Sequence, residues 1–476
     1  MNASTSKLST KYSWSLLIFT VFTCGFLSYS FSKKKIDTNI GNAFNLEGYF
    51  PLLKRQANPE NQASSSNNLL LNFQVSQPPV VPKGGRLCRL NYLQHIFGNS
   101  FGQPAKGQYR PPSDCGPPGS WASVVLELTV TSKGTQFDRL SSIFLNNIEI
   151  LRTSTAEPTP EGIIWRVQKD ITKYMPILAL SKADLVMRLD NIVDEKQGID
   201  GEFVVNLDMA FYMPTDQFPA PARASAILPL SHTNATVFSI PKPATVMVQL
   251  PESTSSAFVE IYASGSAEEE FWYTNLLDEG KEILTQNAPK SSVNARGPFR
   301  EVQLWIDDKL AGVAYPFPVV FTGGILLSWW RPISAYGSFD QPTYTIDITP
   351  FLPILTDSKK HNFTLTVEGQ GPDRSTNPQW FVSGNIAIAL DPSGKRTTGK
   401  ILKYTNDGFV RPSGDVCQSG FFSSVDAQRK ISITSTIVTG KGENFEITCT
   451  QDFQFQNKQL SETTGASQVC LMFKLL

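Results

Sequence analysis

"GTQFDRLSSIFLNNIEILRTSTAEPTPEGIIW", residues 134–165, decides how this chain is read. It reads as strand, turn, strand, with Asp138-Arg139 behind Phe137 at the mouth of the first strand and a polar run from Arg152 to Glu157 interrupting the next apolar segment. Upstream, "SVVLELTVTS" alternates apolar and polar residues. Downstream, "GIIWRVQKDIT", "ADLVMRLDNIV" and "EFVVNLDMAFYM" follow at regular spacing with turn residues between them. Short strands at even intervals point to a β-sandwich rather than to βαβ units.

A second block repeats the logic: "ATVMVQL", "SAFVEIYASG", "TYTIDITPFL", "HNFTLTVEG" and "WFVSGNIAIAL". Both blocks carry a D-I-T segment, Asp170-Ile171-Thr172 and Asp347-Ile348-Thr349, each followed by another strand pattern. The expectation is all-β: one sandwich over 83–213, a Pro- and Ala-rich linker over 214–230, a second sandwich over 231–395, and a C-terminal β region over 396–476.

Composition excludes some functions. The 42 basic and 42 acidic residues balance, so no basic face recommends a nucleic-acid partner. With only three histidines, none in a metal-ligand spacing, no metal is expected. No P-loop, G-x-S-x-G elbow or dinucleotide fingerprint stands in strand–turn–helix context, so no cofactor is expected.

The N-terminus divides into a short tail (1–12), an apolar segment (13–32) and a polar Asn/Ser/Gln/Pro-rich stalk (33–82). "WSLLIFTVFTCGFLSYSF", residues 14–31, carries no charge and is just long enough to span a bilayer, as a signal anchor or as a cleaved signal. Sequons at Asn234 and Asn362 place the body on the lumenal or extracellular side, either membrane-anchored in the secretory pathway or secreted, for instance after cleavage at Lys54-Arg55. Cys88 and Cys115 bracket a loop-rich stretch with little means of packing itself, and a disulfide there is expected. The alternative is two buried thiols.

Acids beside aromatics are the remaining chemistry. In "SAEEEFWYTN" (266–275), Glu268, Glu269 and Glu270 precede Phe271-Trp272-Tyr273. Aromatic faces suit sugar rings, and a carboxyl against an apolar ring keeps its proton to higher pH. The bland reading is an acidic turn before a buried strand. Asp138-Arg139 reads equally as a strand-end ion pair or as a carboxylate held ionised to handle water, with the arginine beside a developing oxyanion.

"NYLQHIFGNSFGQPAKGQYRPPSDC", the 132–174 stretch, "EEFWYTN" and "GPFREVQLWIDDKLAGVAYPFPVVFTGGILLSWWRPISAYGSFDQPTYTIDITPFL" resemble the peptide-N-glycosidase A family of plants and fungi, from about Lys83 to Leu390. The resemblance implies an amidase that hydrolyses the Asn–GlcNAc bond of N-glycosylated peptides or proteins, releases the glycan and leaves Asp. A fainter resemblance is to bacterial peptide-N-glycosidase F, two jelly rolls side by side with a W-D-R tripeptide opening a strand. It implies two jelly-roll-like sandwiches here, with Asp138 and Arg139 as catalytic residues and Phe137 standing where that family has Trp. Its Glu before a Trp falls on Glu270, with Glu269 as the alternative and Trp272 beside them. A further Glu falls on Asp190, a shorter acid. Arg152 and Glu157 are read as wall residues of the same cleft. A non-catalytic carbohydrate-binding or cell-surface protein, and a glycosidase cutting between sugars, are the competing functions.

Overall fold

The computed structural model describes residues 20–24, 69–242, 244–287, 294–371, 373–417, 420–462 and 468–475. Strands dominate, as the alternating patterns require. The first group comprises β2 (Leu70–Asn72), β3 (Leu87–Phe97), β4 (Ala105–Tyr109), β5 (Ser123–Lys133), β6 (Leu140–Leu145), β7 (Ile148–Ser154), β8 (Ile163–Asp170), β9 (Ala183–Leu189) and β10 (Glu202–Tyr212). These form two sheets, β2-β8-β5-β10-β3 and β4-β9-β6-β7. Period-2 side chains from both meet in one core around Trp121, Trp165, Phe97 and Phe203.

The second group repeats the arrangement. Its strands are β11 (Ala226–Leu230), β12 (Phe238–Ile240), β13 (Ala244–Val248), β14 (Thr254–Gly265), β15 (Glu301–Ile306), β16 (Lys309–Ala314), β17 (Thr343–Asp347), β18 (His361–Glu368) and β19 (Trp380–Leu390). They form β11-β19-β14-β17, with β12 also on β19, and β13-β18-β15-β16. The C-terminal region adds β20 (Thr398–Cys417), β21 (Gly420–Val438), β22 (Asn444–Glu462) and β23 (Gln468–Leu475). This sheet lays Phe421, Val425, Ile431 and Ile433 onto the second core.

Three expectations shift. Leu70–Asn72, assigned to the stalk, is a strand parallel to β8, because its apolar residues complete that sheet's edge. Ala226–Leu230, assigned to the linker, pairs with β19. Most of the apolar N-terminal segment and the Lys54-Arg55 site lie outside the described residues. Within that segment Thr20–Cys24 (β1) is extended rather than helical, its β-branched residues pairing with β23. Among the described residues no helix is long and apolar enough to cross a membrane.

Buried polar contacts dock the two groups. A bulge at Ile150 in β7 puts Glu149 and Arg152 on one face, although they stand three positions apart in sequence. Arg152 then donates to both Glu149 carboxylate oxygens at 2.8 Å, and its remaining Nη1 reaches Ser264 Oγ at 2.9 Å and the Phe381 carbonyl at 2.7 Å across the interface. Nearby, Tyr174 Oη donates to Glu260 at 2.8 Å, and Lys169 pairs with Asp340 at 2.8 Å.

Cys88 and Cys115 form a disulfide spanning 27 residues of sequence, as expected. Replacing both with serine should cost about 3 kcal/mol by loop entropy and lower the melting temperature by several degrees. A calorimetric scan that leaves the transition unmoved would show the 88–115 loop to be held by packing alone.

Candidate active site

Backbone pairing builds the site from the first group outward. The β6–β7 ladder continues beyond the strands, since Thr155 N–H donates to the Arg139 carbonyl at 2.9 Å and Arg139 N–H to Thr155 Oγ1 at 2.9 Å. Asp138 stands one residue before Arg139 and Glu157 two after Thr155, and their carboxyls are neighbours that share a hydrogen bond. From the second group, β14 ends at Gly265, and a single 3-10 turn over Ala267–Glu269 brings Glu270 close enough for its carboxyl to feel the charges of Asp138 and Glu157. A third segment closes the floor. Thr322 Oγ1 donates to the Thr155 carbonyl at 2.6 Å, and the next residue, Gly323, gives its backbone N–H to the Asp138 carboxylate.

Three carboxyls from two halves of the molecule therefore meet. Burial pushes Asp138 upward, while Arg139, Glu157 and the Gly323 N–H pull it back. Burial, then the Asp138 charge, lifts Glu157 to about 7, against Arg331. Burial again, then Asp138 and Glu157, lifts Glu270 to about 8. At neutral pH Glu270 therefore holds its proton, Glu157 is close to half-protonated, and the Asp138 charge raises both. Arg139 is steered by Gln136 Oε1 at 2.8 Å and Asn191 Oδ1 at 3.3 Å. Among the described residues no three His, Cys, Asp or Glu side chains converge as a metal ion would need.

A family model for peptide N-acetyl-beta-D-glucosaminyl asparaginase amidase A matches residues 78–407, and one for the family's C-terminal domain matches residues 423–472. The peptide-N4-(N-acetyl-beta-glucosaminyl)asparagine amidase A of Prunus dulcis is 34% identical over 421 residues, covering 83% of this chain and 70% of its own. The chain belongs to the amidase A family. Among solved structures, PNGF-II aligns with 69% of this chain and 64% of its own, at 12% identity and a TM-score of 0.39. The Sputnik virophage aligns at 8% identity and a TM-score of 0.22, covering 83% of this chain and 94% of its own. Both superpositions are too loose to carry an argument.

The other expected residues of this amidase A chain lie elsewhere. Arg152 does not line the cleft, being fully buried in the docking interface. Glu269, adjacent to Glu270 in sequence, points the opposite way. It is fully buried, takes Arg300 in a fork at 2.5 and 2.6 Å and accepts from Trp380 Nε1 at 2.5 Å. Trp272 is core at 3% exposure, although it lines a small cavity together with Glu270. Asp190 is exposed and caps the Gly102 N–H at 2.9 Å, outside the trio. Asn234 and Asn362 are both exposed.

Gly323 was missed. A side chain there would collide with both Asp138 and Glu157, so only glycine lets the backbone donor approach. The Gly323-Gly324 pair closing an apolar run is the sequence signal for such an approach.

The two adjacent glutamates should separate cleanly. Glu269→Gln breaks a buried pair and should cost about 3–5 kcal/mol of stability. Glu270→Gln removes a carboxyl whose folded pKa exceeds its unfolded value. Such a group opposes folding increasingly as pH rises from 4.5 towards about 8. Glu270→Gln should therefore melt higher than the wild type at pH 8 and match it near pH 4. Equal melting shifts for the two variants would contradict this division.

Proposed function

We propose that this chain hydrolyses the amide between Asn and the first N-acetylglucosamine of N-glycosylated peptides or proteins, releasing the glycan and leaving Asp on the peptide. The observation carrying the reading is the meeting of Asp138 and Glu157 with Glu270 from the opposite half, inside a chain of the amidase A family. Asp138, whose charged form Arg139 and the Gly323 N–H favour against burial, takes a proton from water as the water oxygen attacks the Asn side-chain carbonyl carbon. Arg139 faces the developing oxyanion. The leaving nitrogen needs a proton before the C–N bond parts, and Glu270 holds one at neutral pH. Glu157 shares its proton with Asp138 and keeps two adjacent carboxylates from ionising together.

The strand orders support reading the halves as two jelly rolls side by side. The pattern β3-β10-β5-β8 over β4-β9-β6-β7 recurs as β12-β19-β14-β17 over β13-β18-β15-β16. The first then runs from Leu70 to about residue 213, the second from Ala226 to about 395, and the C-terminal sheet forms a separate layer. The disulfide and the exposed sequons support a body in the secretory pathway or outside the cell.

Digesting a glycopeptide and weighing the peptide tests the activity. Conversion of Asn to Asp is expected; sugar left on Asn would mean a glycosidase, and binding without release a carbohydrate-binding protein. Asp138→Asn should lower kcat by at least about 100-fold, and an unchanged rate would remove Asp138 from the mechanism. Activity should fall on the alkaline side as Glu157 and Glu270 lose their protons, around pH 7–8. A kcat that climbs steadily through pH 9 would contradict the acid role.

A further inference from the structure

We propose that the inter-jelly-roll cleft beside Tyr336 is a subsite for the outer, non-reducing part of the substrate's N-glycan; this rests on the amidase reading. The cleft measures about 350 Å3, within the range of ligand sites. All three neighbouring parts of the chain line it: Gln77 from the segment after β2, Gln168 and Lys169 from β8, and Tyr336 and Asp340 from the stretch before β17. A smaller pocket of about 60 Å3 continues it between Gln74 and Tyr336.

Its chemistry selects an uncharged, oxygen-rich ligand. Both lysines are paired, Lys169 with Asp340 at 2.8 Å and Lys173 with Glu260 at 2.5 Å, and the lining Asp170 accepts from Thr172 N–H and Oγ1. What remains unpaired are amides. Gln341 is 3% exposed and lines the cleft, while Gln74 lines the smaller pocket, and the Nε2 of each is buried without a hydrogen-bond partner. Buried donors want acceptors, and sugar hydroxyls supply them. Tyr336 is 61% exposed, an aromatic face of the kind that packs on sugar C–H groups.

A peptide fits less well. Just past β2, Phe73 already exchanges backbone hydrogen bonds with Pro332 and Ser334, so its backbone is not open to pair with a peptide.

Position also favours the glycan. From its start at Ile163, β8 runs six residues, roughly 20 Å at ~3.3 Å per residue, to reach the cleft at Lys169. A branched oligosaccharide of several sugars spans that distance; the sugar being cleaved does not.

The test compares one peptide carrying either a complete branched N-glycan or only the reducing-end disaccharide. Tyr336→Ala and, separately, Gln77→Ala should raise KM for the complete glycan about three- to tenfold, with kcat and the disaccharide substrate unchanged. An equal effect on both substrates, or one that follows peptide length at constant glycan, overturns the subsite. Titrating free branched glycan into Asp138→Asn protein reads the site without catalysis. Tyr336→Ala in that background should weaken binding by the same factor, and an unchanged Kd overturns the proposal. Should wild type turn over neither glycopeptide, the amidase reading fails while the titration still decides the subsite.

Discussion

A guanidinium fork between Arg152 and Glu149 sits wholly out of water where the two halves of this protein meet. Removing both ions from solvent costs several kcal/mol each, recovered only if every donor and acceptor is met. Here they are: the spare Arg152 nitrogen spends itself on Ser264 and Phe381, and Ser383 donates to Glu149. A pair completed by groups from the other half tolerates one docking position and no sliding. Gln341 N–H on the Arg152 carbonyl and Ser154 N–H on the Ser338 carbonyl extend that fixity along β7 to its end. Beyond it come Thr155 and Glu157, the latter a member of the acid trio.

The trio depends on that fixity because its members repel. Asp138 and Glu157 come from one hairpin, but Glu270 arrives from the other half on one helical turn. Nothing local would hold a third carboxyl against two others. The Glu269–Arg300 fork anchors one side of that turn in the second core, leaving the next residue facing the cleft. Neighbouring glutamates thus divide into a buried anchor and a member of the acid trio.

Strands were legible in the sequence because their period is local. "SVVLELTVTS" and "EFVVNLDMAFYM" both form the strands their alternation announces. Asp138 and Glu270 were singled out through motifs that sit at strand ends. Arg152 was not legible, because its partner is brought onto the same face by a bulge that leaves no mark in composition. Glu157 was read only as a wall residue, since its nearness to Asp138 comes from a ladder that continues past its last strand residue. Leu70–Asn72 hid inside polar, stalk-like sequence because three residues are too few to show a period.

The C-terminal sheet gives the second half a neighbour on its far side. Arg429 forks onto Glu301 in β15, at 3.0 and 2.7 Å, and Tyr404 and Gln451 bond the β16 backbone. β15 is consequently buried on both faces, and the sheet it belongs to is an inner wall rather than an outer one. A chain ending near residue 395 would retain all three acids, yet it would present a broad oily surface and an unmatched Glu301 to solvent. The last eighty residues, remote from the chemistry, are the roof of the building that houses it.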